Sequence, residues 1–199
     1  MGKTERLKKL EEIAEKCYNC ELGKTRNRLV FGEGSANSTF MIIGEGPGET
    51  EDKEGRPFVG RSGQLLRKML TAIDLNPEKD VFIANIVKCR PPKNRDPKKN
   101  EITTCIKFLR KQIEIIEPKL IILLGKSAVK GICPDLAKES VERLRIISKN
   151  LGMLIYNDIP VVVTYHPSAL LRTQWRRVGA KEDFEFLQNV YKEFKNDER

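Results

Sequence analysis

The sequence predicts an α/β protein, a three-layer α/β/α sandwich around a central, mostly parallel four-stranded sheet. Two observations carry this reading. Strand-like and helix-like segments alternate along the chain, and the strand-like segments are apolar at nearly every position. A strand that is apolar throughout is buried on both faces, as in a parallel sheet covered by helices on each side.

Residues 3–16 read as an amphipathic helix, with Leu7, Leu10, Ile13 and Ala14 on one face. Residues 39–44 form a buried strand that runs into a glycine-rich turn. Residues 63–75 suit a helix, with Leu65, Leu66, Met69, Leu70 and Ile73 apolar. Residues 81–87 are the second strand, and residues 99–116 a helix stopped near Pro118. Residues 119–125 are the third strand, followed by a short helix from Ser127. Residues 152–157 read as a small extra strand and residues 160–165 as the fourth main strand, ending at His166-Pro-Ser. Residues 181–194 read as a closing helix. Ligands of open parallel sheets bind beyond the carboxyl ends of the strands. Here those ends are residues 44–48, 85–89, 125–127 and 165–168, so one rim is expected to hold a site.

The 199 residues suit one domain with a full core. Charged residues make up 33% of the chain and the net charge is +9, too hydrophilic for a membrane protein. No signal-peptide core and no run of membrane-spanning length is present, so an intracellular protein is expected. The charge is uneven. Residues 88–111 hold nine Lys/Arg against two acids, and residues 172–181 hold four Lys/Arg and no acid. Residues 45–54 hold five acids and one Lys. The two basic stretches flank the most motif-like segments, the footprint expected of a nucleic-acid binder.

Five cysteines are an odd number for a disulfide framework. Cys17 and Cys20 form a Cys-x-x-Cys pair, while Cys89 and Cys105 stand alone downstream. Four thiolates can hold zinc or an iron–sulfur cluster; structural zinc more often uses two close pairs, so the spacing leans toward iron–sulfur. Cys133 reads as a small buried apolar side chain. Cys89 opens the basic, proline-broken stretch Lys88-Cys-Arg-Pro-Pro-Lys-Asn-Arg-Asp-Pro-Lys-Lys, which a metal centre would pin to the body of the protein.

Gly44-Glu-Gly-Pro-Gly-Glu-Thr-Glu-Asp52 follows a strand but is no dinucleotide fingerprint, because Pro47 and the acids break it. Gly125-Lys-Ser lacks the upstream glycine of a Walker loop. The first segment is either a plain tight turn or a backbone surface that lets a flat ligand approach. Phe58, after Pro57 in a loop, is either core or lid packing or a base platform. Asn85, inside an apolar strand, either bonds neighbouring backbone or reads a heterocycle with its paired donor and acceptor. His166, the only histidine, is either structural or, at the end of a strand, placed to donate to a ligand oxygen.

Together these segments resemble the family 4 uracil-DNA glycosylases, the iron–sulfur type of bacteria and archaea. The motifs that carry the resemblance are Gly-Glu-Gly-Pro-Gly-Glu at 44–49, Gly-Arg-Pro-Phe-Val-Gly at 55–60, Asn-Ile-Val-Lys-Cys-Arg-Pro-Pro-Lys-Asn at 85–94 and His-Pro-Ser-Ala-Leu-Leu-Arg at 166–172. The resemblance spans Cys17 to about Arg172. It implies hydrolysis of the N-glycosidic bond of deoxyuridine in DNA, leaving free uracil and an abasic site. It also implies a structural 4Fe–4S cluster on Cys17, Cys20, Cys89 and Cys105. By the same resemblance Phe58 stacks on the flipped base, Asn85 pairs with uracil O4 and N3–H, and His166 bonds O2. Glu45 and Gly46 line the pocket with their backbone, and Leu170 is the wedge, with Leu171 and Arg172 as alternatives. The first family of these enzymes carries an Asp where Gly46 stands. Water positioning is therefore expected from Asn94, with Glu49 and Glu51 as the other candidates. A Tyr of that family has its counterpart at Gly48, so Glu51 is expected to exclude thymine's methyl.

The resemblance thus describes residues 1–199 as one glycosylase domain, monomeric, acting on uracil-containing DNA. No convincing sliding-clamp peptide is present. Two other readings fit parts of the sequence. One is a non-catalytic nucleic-acid module with a metal-stapled loop; the other is a carboxylate-and-metal nuclease using Glu45, Glu49, Glu51 and Asp52.

Overall fold

The structure, a computed structural model, describes residues 1–196. In chain order the elements are α1 (Lys3–Glu15), α2 (Glu21–Thr25), β1 (Glu33–Gly34), β2 (Phe40–Gly44), α3 (Glu49–Glu54), α4 (Arg61–Thr71), β3 (Val81–Asn85) and α5 (Lys99–Ile116). They continue as β4 (Leu120–Leu124), α6 (Gly125–Ile132), α7 (Val141–Ser148), β5 (Ile155–Tyr156), β6 (Ile159–Thr164), α8 (Pro167–Arg172) and α9 (Arg176–Asn196).

The sheet order is β1-β3-β2-β4-β6-β5. The inner four, β3-β2-β4-β6, are parallel, as the apolar runs predict. The flanking β1 and β5 are two-residue antiparallel additions, so the whole sheet is mixed and six-stranded. β5 falls within the small extra strand expected over 152–157, whereas β1 carries too few residues for a readable alternation; such short edges also offer little unpaired backbone to a neighbouring chain.

Successive residues of each inner strand face opposite layers. Met41, Ile43, Ala84, Leu123 and Val163 pack with α1, α5, α6 and α7. Phe40, Ile42, Ile83, Ile122 and Val162 pack with α4 and α9. Both faces are covered, which gives the three layers. Helix α9 starts at Arg176, five residues before the expected start. Helices α3, α7 and α8 lie where the sequence shows only turn and loop signals. At eight residues or fewer they carry too few core positions for a clear period. Pro167 at the first helical position of α8 is the one local mark of its start.

Candidate active site

Parallel register sets the carboxyl ends of the inner strands side by side. Gly44 is opposite Asn85, and Leu124 is opposite Thr164. The chain runs from β2 outward to β3, then crosses back over β2 to β4. The topological switch point therefore lies between β2 and β4. A cavity of about 600 Å³ opens there. Its walls include Glu45, Phe58, Asn85, Asn94, Ser127 and His166, brought together from segments far apart in sequence. Ser127, at the start of α6, donates its hydroxyl to the Glu45 carboxylate across the crevice.

One end of the cavity brings Phe58, Asn85 and His166 together. Asn85 is 2% exposed, and its Oδ1 is buried with no hydrogen-bond partner among the described residues. An orphaned buried acceptor costs about 1–3 kcal/mol, so a donor from a ligand would satisfy it. A Cβ at position 44 would fall 2.5 Å from that Oδ1 and 2.6 Å from the Phe58 Cζ, so glycine is what keeps this corner open. Phe58 sits at φ +53°, a left-handed conformation unusual for a bulky residue. Two contacts hold it there. Glu51 Oε1 accepts from the Val59 and Gly60 N–H groups at 3.0 and 2.8 Å, and α4 approaches so closely that a Cβ at Gly63 would lie 1.9 Å from the Phe58 carbonyl carbon. The Phe58 and His166 rings lie 5.8 Å apart, centroid to centroid.

His166 caps α8. Its Nδ1 accepts from the Ser168 N–H at 3.2 Å and lies 2.8 Å from the Ser168 hydroxyl. Burial against the cavity wall, with Arg172 adding to it, pushes its pKa down to about 4. The imidazole is therefore neutral at pH 7, and since Nδ1 is an acceptor its proton sits on Nε2.

The carboxylates of the glycine-rich segment separate into distinct roles. Glu45 projects its side chain, and not only its backbone, onto the cavity wall; burial raises its pKa, with the Ser127 hydroxyl opposing. Glu51 also lines the cavity, its second oxygen close over Gly48. Glu49 turns outward to Lys53 at 2.7 Å and Arg90 at 3.4 Å and does not reach the cavity wall. Asp52 is buried and accepts from the Asn27 backbone at 3.0 Å, a structural role. The four carboxylates of the nuclease reading thus fail to converge on one point. Asn94 lines the cavity at φ +55°, its Oδ1 accepting from Arg90 Nε at 2.8 Å.

The three residues expected as wedge candidates, Leu170, Leu171 and Arg172, take different environments. Leu170 is 2% exposed and packs with Tyr165 and Ala180, so it cannot enter DNA without unpacking its core. Leu171 is 39% exposed, and Arg172 lines the cavity. Adjacent helical residues face different directions, and the motif alone does not say which one turns outward.

Cys17 and Cys20 are half-buried, and Cys89 and Cys105 are buried, behind the loop that follows β3. The four share one electrostatic neighbourhood: Cys20 and Cys17 act on Cys89, and Cys89 and Cys20 act on Cys105. Two N–H donors point at sulfur. Arg26 Nη1 donates to Cys89 Sγ, and the Lys88 backbone donates to Cys105 Sγ, each at 3.3 Å. Among the described residues no three His, Cys, Asp or Glu side chains close on a single-ion site. Cys133 ends α6 and packs against the core. The basic loop itself is fixed at its far side, where Arg95 grips the buried Glu101 carboxylate at 2.7 and 2.9 Å and Glu101 accepts from the Lys98 N–H.

Ser127 is a cavity group to which the sequence assigned no role, and the Glu45 side chain, expected there only in the nuclease reading, faces it. Ser127 at the mouth of a strand–helix turn, in the expected ligand crevice, was the available signal.

Among known proteins, the profile of the uracil DNA glycosylase superfamily matches residues 31–195. The chain is 42% identical over 187 residues to a type-4 uracil-DNA glycosylase of Sulfurisphaera tokodaii, covering 92% of this chain and 84% of that one. It is 43% identical over 165 residues to a type-4 uracil-DNA glycosylase of Thermotoga maritima, covering 83% of each. A type-5 uracil-DNA glycosylase of Pyrobaculum aerophilum is 29% identical over 151 residues, covering 69% of this chain and 64% of that one.

Proposed function

The chain belongs to the uracil DNA glycosylase superfamily, and from that membership and the cavity's own donors and acceptors we propose how it excises uracil from DNA. The single observation that carries the reading is the buried Asn85 Oδ1, without a partner among the described residues, in a cavity walled by Phe58 and His166.

A uracil within a duplex is shielded, so the nucleotide is extruded into the cavity, at a cost of about a few kcal/mol. Phe58 stacks on the base. Asn85 Oδ1 accepts from N3–H, and its amide N–H donates to O4. Cytosine offers an amino group and a bare ring nitrogen at these positions, so both bonds are lost and the base is rejected. The neutral His166 donates from Nε2 to uracil O2. As the C1′–N1 bond breaks, its electron pair passes into the uracil ring, and this donor stabilises the charge that builds on O2. Water adds to C1′, its proton passes to the Glu45 carboxylate, and the released uracil anion takes up a proton from solvent. Glu45, half-buried with a raised pKa, and Asn94 on the loop opposite hold that water. Glu51 leans over Gly48 and fills the space where a thymine methyl would enter. Leu171 is the wedge that fills the gap in the stack, and Arg172 contacts phosphate.

Cys17, Cys20, Cys89 and Cys105 would hold a 4Fe–4S cluster, which supplies a structural tie between the first helices and the basic loop. The donor set fits: four thiols near one another, with N–H groups aimed at two of them, and a cluster sets its thiolates on separate irons rather than on one ion. The reading extends to residues 1–199 as a single catalytic domain that acts where chromosomal DNA lies, inside the cell, as a monomer. Among the described residues no helix is long and apolar enough to cross a membrane.

The test is a strand-cleavage assay on matched oligonucleotides. Uracil-containing DNA should acquire alkali-labile sites and release free uracil, while thymine- and cytosine-containing strands stay intact. Cleavage without uracil, or none at all, overturns the reading.

A further inference from the structure

Trp175 is the only tryptophan of the chain, and 63% of its surface is exposed. It lies between Arg172 and Arg176, both of which line the cavity. Its ring meets Tyr165 edge-on, with centroids 6.4 Å apart and planes at 84°. The Arg176 guanidinium carbon lies 5.2 Å from the Trp175 ring centroid and 5.4 Å from that of Tyr165. The two rings thus orient the guanidinium by cation–π contact. Arg176 Nε is buried without a partner among the described residues, and the acid bridged to this side chain, Glu142, is 3.7 Å from Nη2. Leu171 and Val178 add exposed apolar surface along the same short stretch, and residues 172–181 contain no acid before Glu182.

Folding alone does not account for this arrangement. A large indole exposed at the rim of a ligand cavity, next to cationic groups with an unused donor, matches the chemistry of a nucleic-acid strand: a flat π-face beside an anionic phosphate. We propose that Trp175 and Arg176 form a DNA-gripping post on the rim of the base pocket. Trp175 stacks on an unpaired nucleobase next to the extruded nucleotide, and Arg176 takes the neighbouring phosphate. The proposal builds on the glycosylase reading, since it needs DNA seated over this cavity. It adds a contact that acts on the strand rather than on the uracil.

The single tryptophan makes the test direct. The full chain is titrated with a fluorescein-labelled duplex carrying one abasic site, and the label's anisotropy and the indole emission are followed together. Indole emission should be quenched saturably over the concentration range in which anisotropy reports binding. Trp175→Ala should weaken binding by about 10-fold or more, whereas Trp175→Phe, which keeps a stacking face, should retain most of the affinity. Arg176→Gln should reduce the slope of log Kd against log salt by about one. Unchanged indole emission on a fully bound duplex, or full affinity in Trp175→Ala, overturns the proposal. So does quenching that follows protein concentration without DNA, since that marks association between copies of the chain. Uracil release by the unmodified protein is measured in parallel. Its failure counts against the glycosylase reading, while binding and quenching decide the rim contact separately.

Discussion

The backbone N–H of Ser168 donates to Nδ1 of His166 across 3.2 Å, which leaves the imidazole proton on Nε2, the nitrogen free to meet a ligand. One residue pair at the start of α8 thereby fixes both the tautomer and the direction of the donor.

The pKa of His166 follows from the same corner. It is pushed down to about 4, first by burial and then by Arg172, while Glu51 pulls the other way. Between pH 6.5 and about 4 the unfolded chain takes up a proton that the folded protein refuses, so this group's contribution to stability is lost as pH falls through that window. With one histidine in the chain, NMR titration of the ring reads it directly. The midpoint should lie near 4 in the native protein, higher in Arg172→Gln and lower in Glu51→Gln. A native midpoint between 6 and 7 would contradict the assignment.

Gly44→Ala tests the closeness of the pocket floor. The added methyl would stand 2.5 Å from Asn85 Oδ1 and 2.6 Å from Phe58 Cζ, so one of the two must move. Excision should fall by about 100-fold or more, because the base loses its aligned partners. DNA binding, held by the basic rim, should change far less. Equal losses in both would indicate general unfolding instead.

Lys88 is 0% exposed, and its Nζ donates to the Asn85 carbonyl at 3.0 Å and to Gln112 Oε1 at 2.6 Å. Gln112 in turn donates to the Phe31 carbonyl at 3.0 Å. Lys88→Met keeps the volume but strands two buried acceptors, at about 1–3 kcal/mol each. Urea denaturation should show a loss of about 2 kcal/mol or more. Inhibition by free uracil should also weaken, since the strand end that presents the Asn85 amide loses its support. Unaltered uracil inhibition would limit Lys88 to stability.

Asp183 is fully buried beneath Arg145, Lys149 and Thr164, accepting from Arg145 Nε at 2.6 Å and from Thr164 Oγ1 at 2.6 Å. Asp183→Ala would leave the buried Arg145 charge with only the exposed Glu182 at 3.8 Å, a loss of about 3–5 kcal/mol. Chemical denaturation checks it; a change under 1 kcal/mol (an order-of-magnitude threshold) would show that water reaches the pair.

The cluster proposed on Cys17, Cys20, Cys89 and Cys105 predicts a brown protein whose absorption is lost in Cys89→Ser, with residues 93–99 exposed to protease, while Cys133→Ser should leave both unchanged. Iron and sulfide analysis alongside limited proteolysis reads the result. A colourless Cys89→Ser protein with an intact loop would separate the cluster from the loop.

Much of this site was legible because its signals are local. Asn85 in an apolar strand, His166 at a strand end and cysteines around a proline-broken loop all violate the pattern of their own neighbourhood. The Glu45–Ser127 contact and the outward turn of Glu49 were not legible. Each depends on how a strand end and a helix start meet across 82 residues, or on which way a short helix is rotated.

The apolar runs by themselves determined the parallel core, and their carboxyl ends determined which rim would hold the cavity. Repeating burial writes itself into sequence one residue at a time. Only the tertiary structure decided that Leu171 rather than Leu170 faces outward, that Glu45 enters the cavity by its side chain, and that Trp175 stands beside a guanidinium N–H with no partner among the described residues. Those outcomes depend on helix rotation and on contacts between distant segments, and no local pattern of residue types encodes either.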